Sequence, residues 1–348
     1  MYVEVNSRER CLAALQLEEP DLLPVAELNP GNIFERIRSH WGGDFWASYH
    51  RLGLDAINVG SDPPPVVQRR TGRIAGGDDW GVVTRSIGET GAIAYVNAPI
   101  ATRDDLERYE PPSAENLTMK GIEGIVRDTG GRSLILAGIG MEGTFSYQLT
   151  GFDGTLKALH TDPNLVRRTN EMILDYTLEI GKKMIDAGVD AIWLGDDYAS
   201  EEGPMASPKM MREIGVFSRL ETIVRAFHKR GGYVIKHTDG NNTPILKDMV
   251  DAGIDALHPV QPDVMDIGQV KRDFGDRLCL WGNISCSQTL QEGSVIEVQE
   301  EVTRCIEAAS NGGGHILGSS HSLHQNVNLE NVFAMVKAAR RYGRYHPL

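Results

Sequence analysis

The segment from Tyr233 to Asn241 (YVIKHTDGN) joins an apolar run to side chains that can bind a metal or transfer a proton. The apolar run predicts a buried strand, and His237, Asp239 and Asn241 follow at its end. In α/β proteins, the carboxyl ends of parallel strands gather reactive side chains. Because His237 and Asp239 lie two residues apart on extended chain, both side chains can face one side. We therefore predict a functional site at this strand end.

Polar residues follow five further apolar runs in the same manner. They are Glu142; Asp196 and Asp197; His258 and Gln261; Asn283; and Ser319, Ser320 and His321. In a parallel α/β architecture, the carboxyl ends of all strands lie on one face. The pattern therefore predicts a single shared site rather than several separate ones.

His237, Asp239 and His321 together offer two imidazoles and one carboxylate, a typical ligand set for a divalent metal such as zinc. Three protein ligands leave one coordination position for substrate or water. The H-x-D spacing also suits a hydrogen-bonding network that holds no metal. At this point the sequence leaves a zinc site and a metal-free polar network open.

Asp196 and Asp197 are predicted to act as general acid or base, or to hold a substrate cation, with burial shifting the pKa of one against the other. The pair also suits a helix N-cap or a salt bridge that supports the following loop. Tyr147 is predicted to assist proton transfer, and a place in the hydrophobic core is its alternative.

Four residues, Glu142, His258, Gln261 and Asn283, are predicted to bind substrate at the same face. Glu142 also suits a capping role in its loop, and His258 suits the support of a neighbouring group. Cys286 lies just beyond a predicted strand, but the sequence assigns no activating group to it. We interpret Cys286 as an inert thiol.

The composition excludes several classes of function. The chain of 348 residues carries a formal net charge of −13, which argues against nucleic-acid and anionic-membrane partners because both need a basic face. The four cysteines form no CxxC pair, which predicts reduced thiols and a cytoplasmic location. No apolar run approaches the roughly 20 residues of a membrane span.

A short pattern repeats at three places and sets the architecture. The copies are Leu52–Ile57 (LGLDAI), Ala187–Ile192 (AGVDAI) and Ala252–Leu257 (AGIDAL). Each copy is typical of a helix end, a capping glycine and the start of a buried strand. Repeated joints of this kind predict alternating helices and parallel strands.

Eight strands are predicted in all. They are Leu22 to Ala26, Asp55 to Val59, Ser133 to Ile139, Ala191 to Gly195, Tyr233 to Lys236, Asp255 to His258, Leu278 to Gly282 and His315 to Gly318. Eight βα units predict a (β/α)₈ TIM barrel in one domain spanning residues 1–348, preceded by an N-terminal helical segment. Residues 71–97 predict a β-meander inserted before the third strand.

Three segments resemble the uroporphyrinogen decarboxylase superfamily, which includes the cobalamin-dependent methyltransferases. Ser7–Pro24 resembles its N-terminal helix and first strand, and Leu278–Leu290 and Gly312–Asn331 resemble its C-terminal third. The resemblance implies a (β/α)₈ barrel. It also implies one of two activities, decarboxylation of a tetrapyrrole or methyl transfer.

The motifs of the two branches differ, and this chain resembles the methyltransferases more. The decarboxylases hold an acidic tetrapyrrole through an R-Q-A-G-R type motif, but this chain has Val25–Asn32 (VAELNPGN) there. The methyltransferases bind zinc through H-x-C and a later cysteine. His237 matches that histidine, Asp239 stands at the first cysteine and His321 near the second. A carboxylate and an imidazole in place of two thiolates imply an oxygen-bearing methyl donor.

These features predict a corrinoid-dependent methyltransferase component. It would move a methyl group from a small methoxylated or methylamine-type substrate to a separate corrinoid protein. No D-x-H-x-x-G signature occurs in the chain, so cobalamin would come only with that partner. The alternatives are a uroporphyrinogen decarboxylase-like lyase acting on a tetrapyrrole or smaller acid, and a non-catalytic barrel that binds a corrinoid or porphyrin. A homodimer stays open.

Overall fold

The computed structural model describes residues 5–61, 78–87 and 92–345. The strands in these ranges are β1 (Ala56–Ser61), β2 (Thr84–Ile87), β3 (Ala92–Tyr95), β4 (Leu134–Ile139), β5 (Ala191–Leu194), β6 (Ala199–Ser200), β7 (Gly203–Pro204), β8 (Tyr233–His237), β9 (Ala256–His258), β10 (Cys279–Trp281) and β11 (His315–Ile316). Seven of them form one parallel sheet in the order β1-β4-β5-β8-β9-β10-β11. The predicted α/β class with a parallel sheet is confirmed.

Helices surround this curled sheet. They are α1 (Ser7–Leu15), α2 (Ile33–Trp41), α3 (Phe45–Leu52), α4 (Arg103–Arg108), α5 (Lys120–Thr129), α6 (Phe152–Thr161), α7 (Pro163–Asp186), α8 (Pro208–Glu213), α9 (Val216–His228), α10 (Leu246–Asp251), α11 (Ile267–Phe274), α12 (Thr289–Glu292), α13 (Val295–Ala309) and α14 (Leu329–Tyr342), with a 3₁₀ turn at Thr243–Ile245. None of the helices in the described ranges has the length and apolar character needed to cross a bilayer.

Two hydrophobic cores fill the two sides of the sheet. The larger core lies between the sheet and the outer helices, and includes Ile192, Phe227 and Leu257. The smaller core contains Leu136, Ile235 and Trp281, which are fully buried. Side chains of successive residues alternate between these cores, as strands buried on both faces require.

The predicted first strand, Leu22 to Ala26, takes part in the sheet through single contacts. Val25 forms a parallel bridge with Leu317, and Ala26 N donates to the Leu317 carbonyl at 2.9 Å. On the other side, Asp55 N donates to the Val25 carbonyl at 2.8 Å. Pro24 has no N–H to donate, which limits a continuous ladder here. The segment therefore lies between β11 and β1 without forming a regular strand.

Part of the predicted β-meander is present as an antiparallel pair of strands. β2 and β3 pair with Thr84 opposite Tyr95. Residues 71–77 and 88–91 of the prediction lie outside the described residues.

The repeated Gly-x-Asp-Ala pattern serves one structural purpose in all three copies. Its aspartate lies at the amino end of a strand and accepts a backbone N–H from the adjacent strand segment, in the pairs Asp55–Val25 (2.8 Å), Asp190–Ile135 (2.9 Å) and Asp255–Val234 (2.6 Å). Each carboxylate also meets a basic side chain, namely Arg340 (2.6 Å), Arg8 (2.7 Å) and His228 (2.7 Å) respectively. These contacts fix neighbouring strands in register.

Asp55 is the most deeply buried of the three aspartates, so removing its carboxylate leaves its hydrogen-bond donors without an acceptor in a buried place. We expect Asp55→Ala to lower the free energy of unfolding by about 3 kcal/mol, because the Val25 N–H and the Arg340 guanidinium lose a buried acceptor. Urea unfolding followed by circular dichroism measures this. Asp251→Ala, which removes an exposed acceptor of Lys247 and Arg277, is the control and should change stability little. Equal losses in both variants would contradict the prediction.

Candidate functional site

Asp197, His237 and Asp239 form a cluster at the carboxyl ends of β5 and β8. One donor atom from each of the three side chains lies within 4.8 Å of the others. Asp239 N donates to Asp197 Oδ1 at 3.1 Å, and His237 Nε2 lies 4.0 Å from Asp239 Oδ2. Asp239 Oδ1 is buried and has no hydrogen-bond partner among the described residues. The cluster can therefore accept a cation that coordinates both carboxylates and the imidazole.

His258 fixes the orientation of His237. The strand register sets His237 beside His258, and their Nδ1 atoms lie 2.8 Å apart. Burial and the charge of His237 hold the pKa of His258 well below its usual range, so its ring is neutral. The backbone of Ser319 accepts a hydrogen bond from the His258 ring, which leaves Nδ1 of His258 as an acceptor. His237 therefore donates through Nδ1–H and turns Nε2 toward the carboxylates.

His321 contacts the cluster through Asp239. His321 Nε2 lies 3.2 Å from Asp239 Oδ2, and this hydrogen bond raises the pKa of His321. Its ring centroid is 6.4 Å from that of His237. The structure thus brings the three predicted metal residues together. In the described part of the chain, however, the three donor atoms within 4.8 Å of one another belong to Asp197, His237 and Asp239, so Asp197 takes the place predicted for His321.

The two carboxylates of the cluster differ in their electrostatics. Burial raises the pKa of Asp197, and the charge of Asp239 adds to this rise while His237 opposes it. Burial alone would raise the pKa of Asp239 as well, but the charge of His237 and the hydrogen bond from His321 lower it to about 2. Asp239 is therefore the carboxylate that stays ionised most firmly, as a metal ligand must.

Gly240 and Gln261 hold the turn that follows Asp239. Gly240 has φ +83°, and a β-carbon there would lie 2.4 Å from the Ser200 carbonyl oxygen. Gly240 N donates to Gln261 Oε1 at 2.8 Å. Only glycine fits this approach, so the turn is fixed by sequence and carries Asp239 with it. Gln261 contacts the site through this backbone bond.

A buried network lies directly beneath the cluster. Lys236, which precedes His237, donates through Nζ to Glu142 Oε1 at 2.5 Å and to the Asp196 carbonyl at 2.6 Å. Asp196 N donates to Glu142 Oε2 at 2.7 Å, and Thr144 Oγ1 donates to Oε1 at 2.8 Å. Burial raises the pKa of Glu142 and the ammonium of Lys236 opposes that rise. Each described group that contacts a Glu142 oxygen donates a hydrogen bond to it, so the side chain of Glu142 is an ionised carboxylate.

Asp196 belongs to this network rather than to the cluster. Its Oδ2 accepts from Ser146 Oγ at 2.5 Å and from the N–H groups of Thr144 and Phe145, each at 3.2 Å. The residue is fully buried, and within the described ranges its Oδ1 has no hydrogen-bond partner. The side chains of these adjacent aspartates thus point to different sides. Asp196 bonds the loop that follows β4, and Asp197 belongs to the cluster.

Tyr147 lies in an aromatic group beside the cluster. Its ring centroid is 5.9 Å from that of Tyr95 and 5.3 Å from that of Phe152. Burial, followed by the charge of Asp197, raises the pKa of Tyr147, so the phenol keeps its proton. Tyr147 is therefore placed as a neutral hydrogen-bond donor near the predicted centre.

Asn283 and Cys286 make contacts away from the cluster. Asn283 Nδ2 donates to the Val260 carbonyl at 2.8 Å, and Cys305 Sγ of α13 lies 3.3 Å from its Oδ1. Cys286 Sγ donates to the His321 carbonyl at 3.3 Å. Burial raises the pKa of the Cys286 thiol to about 12, which agrees with an inert thiol.

Two functional candidates, Lys236 and Glu27, were not selected from the sequence. Lys236 is a charged residue within an apolar run, which is a signal of a buried ion pair. Glu27 follows the apolar pair Val25-Ala26 at a strand end, the same position that selected the other candidates. It is 2% exposed and bonds Ser319.

The Lys236–Glu142 pair is testable through stability, because removing one member of a buried pair leaves an uncompensated charge. We expect Glu142→Gln and Lys236→Met each to lower the free energy of unfolding by about 3–5 kcal/mol. In Glu142→Gln, the NH₂ of the carboxamide replaces one of the two carboxylate oxygens. At either position it would face another hydrogen-bond donor. Urea unfolding measures the loss, and Lys247→Met at an exposed pair is the matched control. A stable Lys236→Met variant would contradict the ion pair.

The whole chain is similar to known proteins. A model of the family "Uroporphyrinogen decarboxylase (URO-D)" matches residues 83–342. The methylcobamide:CoM methyltransferase MtaA of Methanosarcina barkeri is 26% identical over 97% of this chain and 99% of its own. The uroporphyrinogen decarboxylase of Erwinia tasmaniensis is 24% identical over 74% of each chain.

A solved structure shows the same fold over nearly the whole chain. The methyltransferase from Methanosarcina mazei superposes with a TM-score of 0.74 and 23% identity, covering 97% of this chain and 99% of that one. The family match covers more than half of the chain, and the resemblance predicted from the sequence is confirmed. The chain belongs to the uroporphyrinogen decarboxylase (URO-D) family.

Proposed function

We propose that this protein is a corrinoid-dependent methyltransferase component that acts through a metal held by Asp197, His237 and Asp239. The observation that carries the proposal is the convergence of these three donor atoms within 4.8 Å at the strand ends. The methyltransferase relative and the methyltransferase structure, which both match nearly the full chain, support the enzyme class. The substrate and the partner are part of the proposal.

The residues of the cluster fit a divalent metal such as zinc. Two carboxylates and one imidazole are hard and borderline donors, and three protein ligands leave a position for substrate. The buried Oδ1 of Asp239 has no partner in the part of the chain that the structure describes, and it is the atom that a cation would satisfy. When bound, the metal would supply Lewis acidity that stabilises a leaving oxygen or nitrogen.

The other residues of the site orient these ligands. His258 holds His237 in the tautomer that presents Nε2, and His321 donates to the remaining lone pairs of Asp239. Tyr147 supplies a phenolic proton that can bond the substrate from the side of Asp197. Gln261 holds the turn behind Asp239. Substrate binding by Glu142, His258, Gln261 and Asn283 stays a prediction, and His321 stays a predicted ligand.

The predicted substrate is a small molecule with a methyl group on oxygen or nitrogen. A carboxylate-rich centre suits an oxygen ligand better than a thiolate, because hard cations and hard donors pair. We propose that the corrinoid enters on a separate protein, as the methyl acceptor at the open face. The name of the relative MtaA, methylcobamide:CoM methyltransferase, supports a corrinoid as one of the reaction partners.

We also propose that the sheet closes into a (β/α)₈ barrel in one domain, with residues 22–26 as the eighth strand. The bonds from this segment to Leu317 and Asp55 support closure. Closure would form one mouth over the cluster.

A decarboxylase-like lyase is the second candidate, and the uroporphyrinogen decarboxylase relatives favour it. In that reaction Asp197 and Tyr147 would handle proton transfer without a metal. The segment Val25–Asn32 offers no guanidinium for the carboxylates of a tetrapyrrole, which weighs against it.

Elemental analysis tests the metal site directly. Wild type, His237→Ala and His160→Ala are dialysed against trace zinc, and bound metal is measured by mass spectrometry. We expect near-stoichiometric zinc in wild type and in the exposed-histidine control His160→Ala, and loss in His237→Ala, because the only imidazole of the tight cluster is removed. Wild type without metal would remove the proposed centre and favour the lyase.

Methyl transfer is tested with free cobalamin in place of the partner-bound corrinoid. Reduced cobalamin is mixed with a methoxybenzoate or trimethylamine, and methylcobalamin is followed by absorbance. We expect Asp197→Asn to slow the reaction about 100-fold or more, since a Lewis acid contributes several kcal/mol to the transition state. Asp153→Asn, on the exposed side of α6, should keep the rate. Release of CO₂ from uroporphyrinogen without methylcobalamin formation would favour the lyase instead.

A further inference from the structure

Glu27 is a buried carboxyl group at the same end of the sheet as the cluster, and the proposed mechanism assigns it no role. It follows the segment that lies between β11 and β1, and it is 2% exposed. No salt bridge pairs Glu27 with a cation in the described ranges, whereas the equally buried Glu142 has Lys236. A buried, unpaired carboxylate would cost several kcal/mol.

Both oxygens of Glu27 contact Ser319. Ser319 N donates to Oε1 at 3.1 Å, and Ser319 Oγ is in hydrogen-bond contact with Oε2. Ser319 Oγ is also 2.6 Å from the carbonyl oxygen of His321. Ser319 is fully buried, so water does not compete for these contacts.

The count of hydrogen atoms decides the protonation state. Ser319 Oγ carries one hydrogen but lies between two oxygens, and the carbonyl oxygen of His321 can only accept. If Ser319 donates to Glu27, two oxygens 2.6 Å apart at His321 have no hydrogen between them. If Glu27 donates to Ser319 and Ser319 donates to His321, every contact is satisfied. The Cys286 thiol contacts both the His321 carbonyl and the Ser319 side chain, but its one hydrogen does not lie between Ser319 Oγ and that carbonyl, so it does not change the count.

We infer that Glu27 is a neutral carboxylic acid and a positioning residue, whose proton fixes Ser319 and thereby the backbone of His321 beside Asp239. The chain of donors runs from Glu27 through Ser319 Oγ to the His321 carbonyl, and the His321 ring donates to Asp239 at 3.2 Å. The second observation is electrostatic: burial raises the pKa of Glu27 to about 8, and the bonds from Ser319 only partly oppose this.

A neutral acid suits this place in the molecule. Asp197 and Asp239 already gather negative charge at the mouth, and a further carboxylate would compete with them for a cation. The titratable group that faces Glu27 is Cys286, which keeps its proton because burial raises its pKa to about 12. The consequence for the metal centre rests on the proposed function, but the protonation state of Glu27 does not.

The protonation state is tested by infrared spectroscopy and by thermal unfolding of Glu27→Gln. At neutral pH we expect the spectrum of wild type minus Glu27→Gln to show the carbonyl stretch of a carboxylic acid. The carboxamide that this substitution introduces can accept from Ser319 N and donate to Ser319 Oγ, so the variant folds. Glu142→Gln is the matched control, because there the amide would meet a donor and the Tm should fall sharply.

The pH dependence has a definite sign. Between the ordinary pKa of 4.5 and the folded value of about 8, the native state of wild type holds a proton that the unfolded state releases. Wild type therefore loses stability relative to Glu27→Gln as the pH rises through this window, and the Tm difference shifts in favour of the variant. A Tm difference that is constant across the window, with no carboxylic acid band, would overturn the inference.

The positioning role is tested by nitrogen NMR of the histidine rings. Glu27→Met keeps the volume but removes the donor, and we expect it to shift the His321 ring resonances while Glu27→Gln leaves them near their wild-type positions. Unchanged His321 resonances in Glu27→Met would overturn the positioning role. A protein that shows the acid band but binds no zinc would overturn the proposed function and leave the state of Glu27 established.

Discussion

The buried contact between Lys236 and Glu142 is the interaction on which the site depends. Lys236 Nζ and the backbone N–H of Asp196 both donate to the Glu142 carboxylate. These bonds join the carboxyl ends of three adjacent strands, β4, β5 and β8. Successive side chains point to opposite faces of extended chain. Lys236 follows the parity of Val234, which faces the outer helices. Fixing Lys236 and Asp196 on that face therefore presents the next residues, His237 and Asp197, to the opposite face.

The sequence predicted much of this, because strand ends are marked by local pattern. His237 and Asp239 follow an apolar run, and the turn after them has room only for glycine at position 240. What local pattern cannot supply is register across strands. The choice between Asp196 and Asp197, and the pairing of His237 with His258, depend on how β5, β8 and β9 align.

The same limit explains the first predicted strand and the missed residues. Pro24 breaks the hydrogen-bond ladder of residues 22–26, although the apolar pattern there is that of a strand. Lys236 and Glu27 are polar residues in apolar surroundings, and their partners are 94 and 292 residues away along the chain. Such pairs form through tertiary packing, which a single sequence does not encode in its local periodicity.

The site has two buried glutamates whose protonation states differ. Glu142 meets only donors, including an ammonium, and stays charged. Glu27 meets a hydroxyl that must itself donate elsewhere, which favours the neutral acid. The charge that remains at the mouth is therefore carried by Asp197 and Asp239. Asp239 Oδ1 is buried and meets no partner among the described residues, so the proposed cation between the two carboxylates would satisfy this atom.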